Sequence, residues 1–305
     1  MSYSFLRESK LYIVYGGNKY RIYTSSALTF NQTFAEESYS VKTLHDQSKM
    51  FEGSSITKAN PASFSFDVPL TTEKDESIVL TLASDLSSNI LNSFDMYVQT
   101  GSSTFKLEGA IITSASFDFI PQNQFTMRVE GEGTKLTRAG DEDFTIPGSA
   151  QSESATRTPL LVYPTITLTD QTPDPDVSKT MGNIISVNLN IQNNIEWTPY
   201  ETLQDSLNST TMFPSAHTVG KRIISGEIRQ YQTDTNVGQF DDFSTSTDLT
   251  ITAKKVSGDT DFFKIQINPA MYTARMNPEE VYTQSYDFRS LDNTDTVSTQ
   301  ITEYI

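Results

Sequence analysis

The amino-acid sequence predicts a mainly-β protein whose two halves resemble each other. Apolar and polar residues alternate along most of the chain, and stretches of the first half return in the second at a nearly constant spacing. At 305 residues the chain can bury a core in each half, and its lack of cysteine excludes disulfides and thiolate metal sites. We therefore expect two tandem domains stabilised by packing.

Strand signals dominate the first half. The stretch KLYIVYGGNKYRIYT alternates on both sides of Gly16-Gly17-Asn18, residue types that tolerate the positive φ of a hairpin turn. In ASFSFDVPL, at 62–70, the apolar residues fall on one face of a strand. TSASFDFIPQNQFTMRVEG predicts a second hairpin, which turns at 121–123.

One stretch of the first half favours a helix. DESIVLTLASDLSSNILNSF places Ile78, Leu82, Leu86 and Ile90 at a spacing of four. The corresponding stretch of the second half, 233–247, has weak helix character. We therefore expect at most one flanking helix in each half.

The middle of the chain has the composition of a linker. Residues 141–159 hold few large apolar residues and are rich in Ser, Thr, Pro and Gly. The predicted domains are therefore 1–145 and 159–305, joined by a linker at 146–158. Beyond it, QTPDPDVSKTMG, at 171–182, predicts a loop between strands.

Three blocks of sequence recur in the same order. LTFNQTFAEESYSVKTLHD returns as VNLNIQNNIEWTPYETLQD 159 positions later. Phe64-Ser65 returns as Ile224-Ser225 after 160 positions, and the block from Phe105 returns at Phe263 after 158. Nearly equal offsets in three places predict a tandem duplication of one β-rich domain.

Each half contains an apolar pair in a long polar stretch that we predict to be a loop. These pairs are Met50-Phe51 and Met212-Phe213. Such a pair either packs back onto its own domain or docks on a neighbouring subunit, because exposed apolar groups often mark interfaces.

The sequence predicts no catalytic, cofactor or metal site. Its two histidines, His45 and His217, lie in the two predicted loops, and no nucleophile elbow, phosphate loop or zinc motif occurs. The net charge of −16 opposes binding to nucleic acid. No apolar stretch is long enough to span a membrane, and we expect no export signal at the N-terminus.

The order of elements resembles the tail-tube fold of long-tailed bacteriophages and contractile injection tubes, in the form in which two tube domains are fused. The resemblance implies two tandem β-sandwich or half-barrel domains. Six such domains close into a ring, so this chain would form a trimer with pseudo-hexameric symmetry. In this family the long loop of each domain carries contacts between rings, and it maps onto 44–60 and 203–220. Met50, Phe51, Met212 and Phe213 thereby become candidates for ring stacking.

The resemblance also implies a function. The chain would be a structural virion protein, the major subunit of a tail tube, assembled in the host cytoplasm and conducting double-stranded DNA without binding it specifically. Expected partners are further copies of itself, the tape measure, baseplate and tail terminator proteins, and a sheath if the tail has one. Acidic side chains facing the lumen would repel phosphates. The candidates for this role are Glu36, Asp118, Glu130, Glu196, Glu227 and Asp287.

Three alternatives remain open on the sequence. A baseplate hub or tube-initiator protein uses the same duplicated domain in one ring. A carbohydrate-binding adhesin would need exposed aromatic platforms, whereas the single tryptophan, Trp197, lies in a repeated strand block opposite Ser38, which favours packing. An enzyme ranks last, since no group of titratable residues converges in the sequence.

Overall fold

The computed structural model describes residues 9–24, 28–42, 50–71, 76–84, 86–87, 90–120, 123–151, 165–170, 177–199, 212–233, 247–254, 261–278 and 280–290. Most of these residues lie in β-strands, and the described part of the chain contains a single α-helix. The prediction of a mainly-β fold is therefore confirmed. The stretch 233–247, whose helix character is weak, falls almost wholly outside the described residues.

The described part of the first half contributes thirteen strands and the helix. They are β1 (Lys10–Tyr15), β2 (Asn18–Ile22), β3 (Thr29–Asn31), β4 (Phe34–Lys42), β5 (Met50–Ala59), β6 (Ala62–Pro69), α1 (Ser77–Ser84), β7 (Leu86–Ser87), β8 (Ile90–Leu91), β9 (Phe94–Gln99), β10 (Thr104–Phe119), β11 (Thr126–Gly133), β12 (Lys135–Gly140) and β13 (Ser149–Ala150).

The second half contributes seven strands in its described part. They are β14 (Thr165–Asp170), β15 (Val177–Met181), β16 (Ile184–Trp197), β17 (His217–Tyr231), β18 (Thr247–Lys254), β19 (Asp261–Asn277) and β20 (Thr283–Ser290). The predicted loop at 171–182 is wrong in part, because Val177–Met181 pairs antiparallel with β14.

Both predicted hairpins of the first half are present. Gly16 and Gly17 turn the chain between β1 and β2 with φ angles of 57° and 79°, values that glycine adopts without steric cost. Strands β10 and β11 form the second hairpin, in which Asp118 pairs with Thr126.

The helix is shorter than predicted. Ile78 and Leu82 are buried on α1, but Leu86 and Ile90 lie in the small β7–β8 hairpin, and Ile90 is exposed. The sequence after Ser84 is rich in Asp, Ser and Asn, which bond to nearby backbone and disfavour helix. This local chemistry ends the helix although the apolar spacing continues.

The stretch that contains Met50 and Phe51 is a strand and not a loop. Met50–Ala59 pairs antiparallel with Phe34–Lys42 to form a separate two-stranded sheet, here called the ribbon. The prediction of a loop was wrong because serines and threonines, which also suit turns, pair well across two exposed strands. Met212 and Phe213, in contrast, lie in non-strand chain before β17, as predicted.

Eight strands from both halves lie side by side in the order β3-β6-β11-β10-β16-β17-β20-β19, here called the central sheet. Each neighbouring pair is antiparallel, including the β10–β16 pair that joins the two halves. One face of the sheet is apolar. Its buried side chains include Phe66, Phe117, Leu189, Ile228 and Phe288, which belong to one continuous core.

A buried arginine also joins the halves. Arg222 on β17 is 7% exposed. Its Nη1 donates to the carbonyl of Ser84 at 2.7 Å and its Nη2 to that of Ala83 at 2.8 Å, at the C-terminus of α1. Its Nε donates to Oδ1 of Asn193 on β16 at 2.6 Å. The guanidinium thus satisfies carbonyls that a helix end leaves unpaired.

The segment between the halves continues the fold of the first. Ile146 is buried, and Ser149–Ala150 pairs in parallel with the end of the β1–β2 hairpin. Residues 152–164 lie outside the described ranges. The division into two domains with a linker at 146–158 therefore stays a prediction.

The contact between β17 and the aromatic core gives a stability prediction. A Cβ on Gly226 would overlap the carbonyl oxygen of Asn188 and lie 2.5 Å from Phe288 Cζ, whereas a Cβ on Gly220 would come no closer than 3.9 Å to any atom. Gly226→Ala should therefore reduce the free energy of unfolding by about 1–3 kcal/mol. Gly220→Ala, in the same strand, should change it by less than about 0.5 kcal/mol.

Urea unfolding followed by circular dichroism measures both variants. Equal midpoints for Gly226→Ala and Gly220→Ala would show that Phe288 does not pack on Gly226 as described.

Candidate functional site

The face of the central sheet opposite the core is polar and continuous across both halves. Along β10, Phe117 and Phe119 are buried while Asp118 between them is exposed. Along β16, Asn188 and Gln192 are exposed while Leu189 and Ile191 are buried. This alternation follows from the two-residue period of a strand. We call this surface the polar face.

Three of the predicted lumen residues lie in one row across the polar face. Asp118 pairs with Asn188, Asn188 with Glu227, and Glu227 with Asp287. Asn188 Nδ2 donates to Asp118 Oδ1 at 2.8 Å. The strand register therefore brings together side chains that are up to 169 positions apart in the chain.

The other predicted lumen residues are more dispersed. Glu130 is exposed on the polar face, where it pairs with Ser114, four positions before Asp118 along β10. Glu196 is exposed near the end of β16, beyond a register shift after Asn194. Glu36 lies on the ribbon, in a different sheet from the other five. The structure thus places Glu130 on the same face as the row but apart from it, and places Glu36 in another sheet.

Arginines alternate with these carboxylates. They were not among the lumen residues that we predicted from the sequence. Arg128 Nε lies 3.3 Å from Asp67 Oδ1 on the neighbouring strand, and Arg275 is paired with Asp287. Arg229 and Arg289 lie two positions after Glu227 and Asp287. Because residues i and i+2 share a face of a strand, this spacing was the signal that could have found them.

The polar face is consequently a mixed-charge surface. A cleft of about 550 Å³ on it is lined by Glu227, Asp287 and Arg289 together with Thr273 and Ser225. Such a surface has groups of both signs within reach of each other. Its arginines near carboxylates are partly neutralised before any ligand arrives.

The predicted stacking residues of the second half lie against the first half. Met212 and Phe213 are half-buried. The carbonyl of Met212 accepts a hydrogen bond from the backbone N–H of Ala59 at 2.8 Å, and Lys135 Nζ lies 4.9 Å from the centre of the Phe213 ring. Met50 and Phe51 pair with Lys42 and Val41 in the ribbon.

The sequence did not single out two apolar residues that the ribbon exposes. Phe34 is 47% exposed and Ile56 is 56% exposed. Both belong to the ribbon, whose two strands pair only with each other in the described part of the chain. An exposed apolar side chain on such a ribbon is available for contact with another molecule.

Trp197 packs on the chain itself. It is half-buried against a small cluster of Leu91, Ile111 and Val219, and its Nε1 donates to Glu132 Oε2 at 2.6 Å. Its ring and its N–H are both engaged within the chain, which favours packing over a sugar-binding platform.

Within the described residues, no group of three or more His, Asp or Glu side chains lies close enough together to hold a metal ion. None of the helical segments in that part of the chain is both long and apolar enough to cross a membrane.

Comparison with known proteins identifies the family. No curated protein matched the chain. The model of the Bacteriophage Baseplate Tube Protein Family matches residues 1–305, which is the whole chain. That family consists of structural components of the phage tail and is not an enzyme family. The chain therefore belongs to the bacteriophage baseplate tube protein family.

Proposed function

We propose that three copies of the chain close into a ring, and that the polar face of the central sheet lines its bore. The observation that carries this proposal is that each end of the sheet has a strand edge with no partner among the described residues. In the described part of the chain, β3 pairs with β6 alone. At the other end, Met271–Asn277 of β19 pairs with β20 on one edge and with no described strand on the other.

The β10–β16 junction shows how such edges can join. Strand β10 pairs with β9 along its first part, and β16 takes the same edge along its second part. Strand β19 pairs with β18 along its first part, but the place that corresponds to β16 is empty in the described part of the chain. We infer that β3 of a neighbouring copy fills that place, antiparallel to β19, as β16 is to β10.

This pairing is supported by the order of strands in each half. The first half runs β3-β6-β11-β10-β9-β1-β2, and the second runs β16-β17-β20-β19-β18-β14-β15. The order supports the proposed tandem duplication, with β3 corresponding to β16 and β10 to β19. In such a repeat, the β3–β19 contact between neighbouring chains reproduces the β10–β16 contact within one chain. Closure then hides edges that would otherwise invite aggregation.

A ring built in this way has a wide bore. Barrels of sixteen to eighteen strands already enclose an aqueous channel, and three central sheets would contribute more strands than that. With the core face outside, the polar face looks inward. Asp118, Glu227 and Asp287 then line the passage, and we propose that DNA moves through it without specific binding.

Opposite ends of the subunit offer surfaces for stacking rings. The ribbon, with Phe34 and Ile56, leaves one end of the sheet. The tips of the β10–β11 and β19–β20 hairpins lie at the other end and expose Ile120, Val281 and Tyr282. Contacts between unlike ends propagate along an axis. We propose that Met50, Phe51, Met212 and Phe213 support the ribbon end of this contact.

Two positions in the tail are open to the proposed ring: the tail tube itself, or a hub or initiator ring at its base. The repeated core architecture suits the major subunit of a tail tube, which stacks many rings and contacts the tape measure, terminator and other tail proteins after assembly in the host cytoplasm. The family description names a baseplate tube, which supports the alternative of a hub or tube-initiator ring. Both versions use the same ring and bore.

Electron microscopy of concentrated purified protein distinguishes the two versions. The major subunit should form long hollow tubes of stacked rings, whereas an initiator should stop at a single ring or a short stack. Protein that stays monomeric at every concentration, with no annular particles, would contradict ring formation by this chain alone.

Cysteine cross-linking tests the edge contact directly. Asn31→Cys combined in turn with Met271→Cys, Thr273→Cys and Arg275→Cys should give covalent dimers and trimers in at least one combination. A disulfide forms only between two cysteines whose Cα atoms lie close together, so a product identifies the residues that face each other. The chain has no cysteine of its own to interfere. Non-reducing electrophoresis of the assembled protein measures the products.

The matched control for this experiment is Asn31→Cys with Ser149→Cys, which lies on the exposed β13 edge at another end of the fold. Equal cross-linking by the control and the β19 series would contradict a specific β3–β19 contact.

Charge removal tests the proposed bore. Asp67→Asn with Asp287→Asn removes carboxylates that pair with Arg128 and Arg275. The released arginines should bind phosphate, so affinity for double-stranded DNA should rise and the slope of log K against log salt should steepen by about one for each arginine released. Fluorescence anisotropy with labelled duplex DNA measures both quantities.

Glu142→Gln with Asp143→Asn changes the net charge equally but at exposed positions away from the polar face. The same gain in DNA affinity from this control would show that net charge, and not release of the arginines, governs binding.

A further inference from the structure

The half-buried His217 lies beside a small apolar cluster, away from the polar face. Trp197 and His217 form the last pair of the β16–β17 ladder, and their ring centres are 5.4 Å apart. Ile195 and the buried residues Leu91, Ile111 and Val219 complete what we call the Trp197 cluster. The cluster lies at the end of the sheet from which the ribbon extends.

The site suits a neutral imidazole. His217 is hydrogen-bonded to the backbone of Leu91, while its Nε2 is buried and has no hydrogen-bond partner among the described residues. A proton added at Nε2 would place a donor and a positive charge where no acceptor is available, which is costly. Burial lowers the pKa of His217 below its usual value, and the Leu91 contact offsets this only in part.

Several charged groups lie on the elements around the cluster. Glu132 on β11 accepts the hydrogen bond from Trp197, and Glu196 precedes Trp197 with its side chain exposed. Lys135 on β12 lies over Phe213, and Lys221 and Arg222 follow on the strand of His217 itself. None of these groups is a hydrogen-bond partner of His217 Nε2. A proton at Nε2 would therefore favour movement of the ring out of its buried place beside Trp197 and toward water.

A short path of contacts connects His217 to the ribbon. The carbonyl of Ala216, the residue before His217, accepts a hydrogen bond from the N–H of Thr198 at 2.6 Å. Four residues earlier, the carbonyl of Met212 accepts one from Ala59, the last residue of the ribbon strand β5. The segment 212–216 is therefore held by the β16 end on one side and by the ribbon on the other.

We propose that His217 is a pH-responsive latch: uptake of a proton breaks its packing on Trp197 and releases the segment 212–216 from the base of the ribbon. The latch acts within a single chain, whether or not rings form. Protonation of His217 frees the segment that contains Met212 and Phe213.

The direction of the pH dependence follows from proton linkage. The unfolded chain holds His217 at an ordinary pKa of about 6.5. Because the folded chain binds this proton more weakly, the neutral ring stabilises the fold above that pH. This contribution declines as the pH falls from about 6.5 through the lower pKa of the folded state.

The composition of the chain makes the latch measurable. Trp197 is the only tryptophan, and His45 is the only other histidine. Between about pH 7.5 and about pH 5, the fluorescence of Trp197 should change in a single titration with a midpoint below about 6.5. His217→Phe keeps a ring on Trp197 but cannot titrate, so it should abolish this transition, and His45→Phe should preserve it.

Glu132→Gln removes the carboxylate that contacts Trp197 but keeps the imidazole, and it should leave the midpoint in place. A transition that persists in His217→Phe, or a wild-type signal that stays constant over this pH range, would overturn the proposal. Proton NMR of the two imidazoles and amide exchange of segment 212–216 in the wild-type chain give the same test without a variant. Exchange that does not accelerate once His217 is protonated would equally overturn it.

Discussion

The buried guanidinium of Arg222 is the interaction on which the arrangement of the two halves depends. It bridges the end of α1 in the first half to β17 and Asn193 in the second. A charge this deeply buried is tolerated only when its donors are satisfied, and here a helix C-terminus supplies carbonyls that carry partial negative charge. The bridge has a directional geometry that apolar packing lacks. It therefore fixes α1 over one place on the central sheet while β10 and β16 join the halves by backbone pairing.

This fixed junction determines what the outer edges of the sheet can do. With β10 and β16 paired, the two faces of the sheet are continuous, and its two ends are β3 and β19, each with an edge that pairs with no strand in the described part of the chain. An edge with unpaired N–H and C=O groups must be covered or paired. A neighbouring copy of the same chain presents the complementary edge. The proposed ring thus follows from the proposed duplication, because the junction between the halves can then be repeated between chains.

The sequence predicted much of this fold because its signals are local. The Gly16-Gly17 turn and the alternation around Phe117 each need only a few neighbouring residues. The ribbon was mistaken for a loop, since exposed Ser and Thr residues suit both. In the ribbon, the position of a residue along the strand also does not decide whether it is buried or exposed. Glu36 and Glu37 point to opposite faces of this two-stranded sheet, and both are exposed. Arg222 could not be predicted, since its partners at Ala83 and Ser84 are brought to it by tertiary structure alone.

The candidate site was also only partly predictable, and its charges change the physical picture of the proposed bore. Selecting carboxylates by sequence position found Asp118, Glu227 and Asp287, but the register that places them in one row depends on the order of strands. That register also sets arginines beside them. A purely acidic wall would repel DNA but also repel itself across a closed ring, and this repulsion would oppose assembly. Arginines paired with carboxylates reduce the repulsion between subunits while keeping the cations from binding phosphates. A mixed-charge wall can therefore permit both ring closure and the passage of DNA.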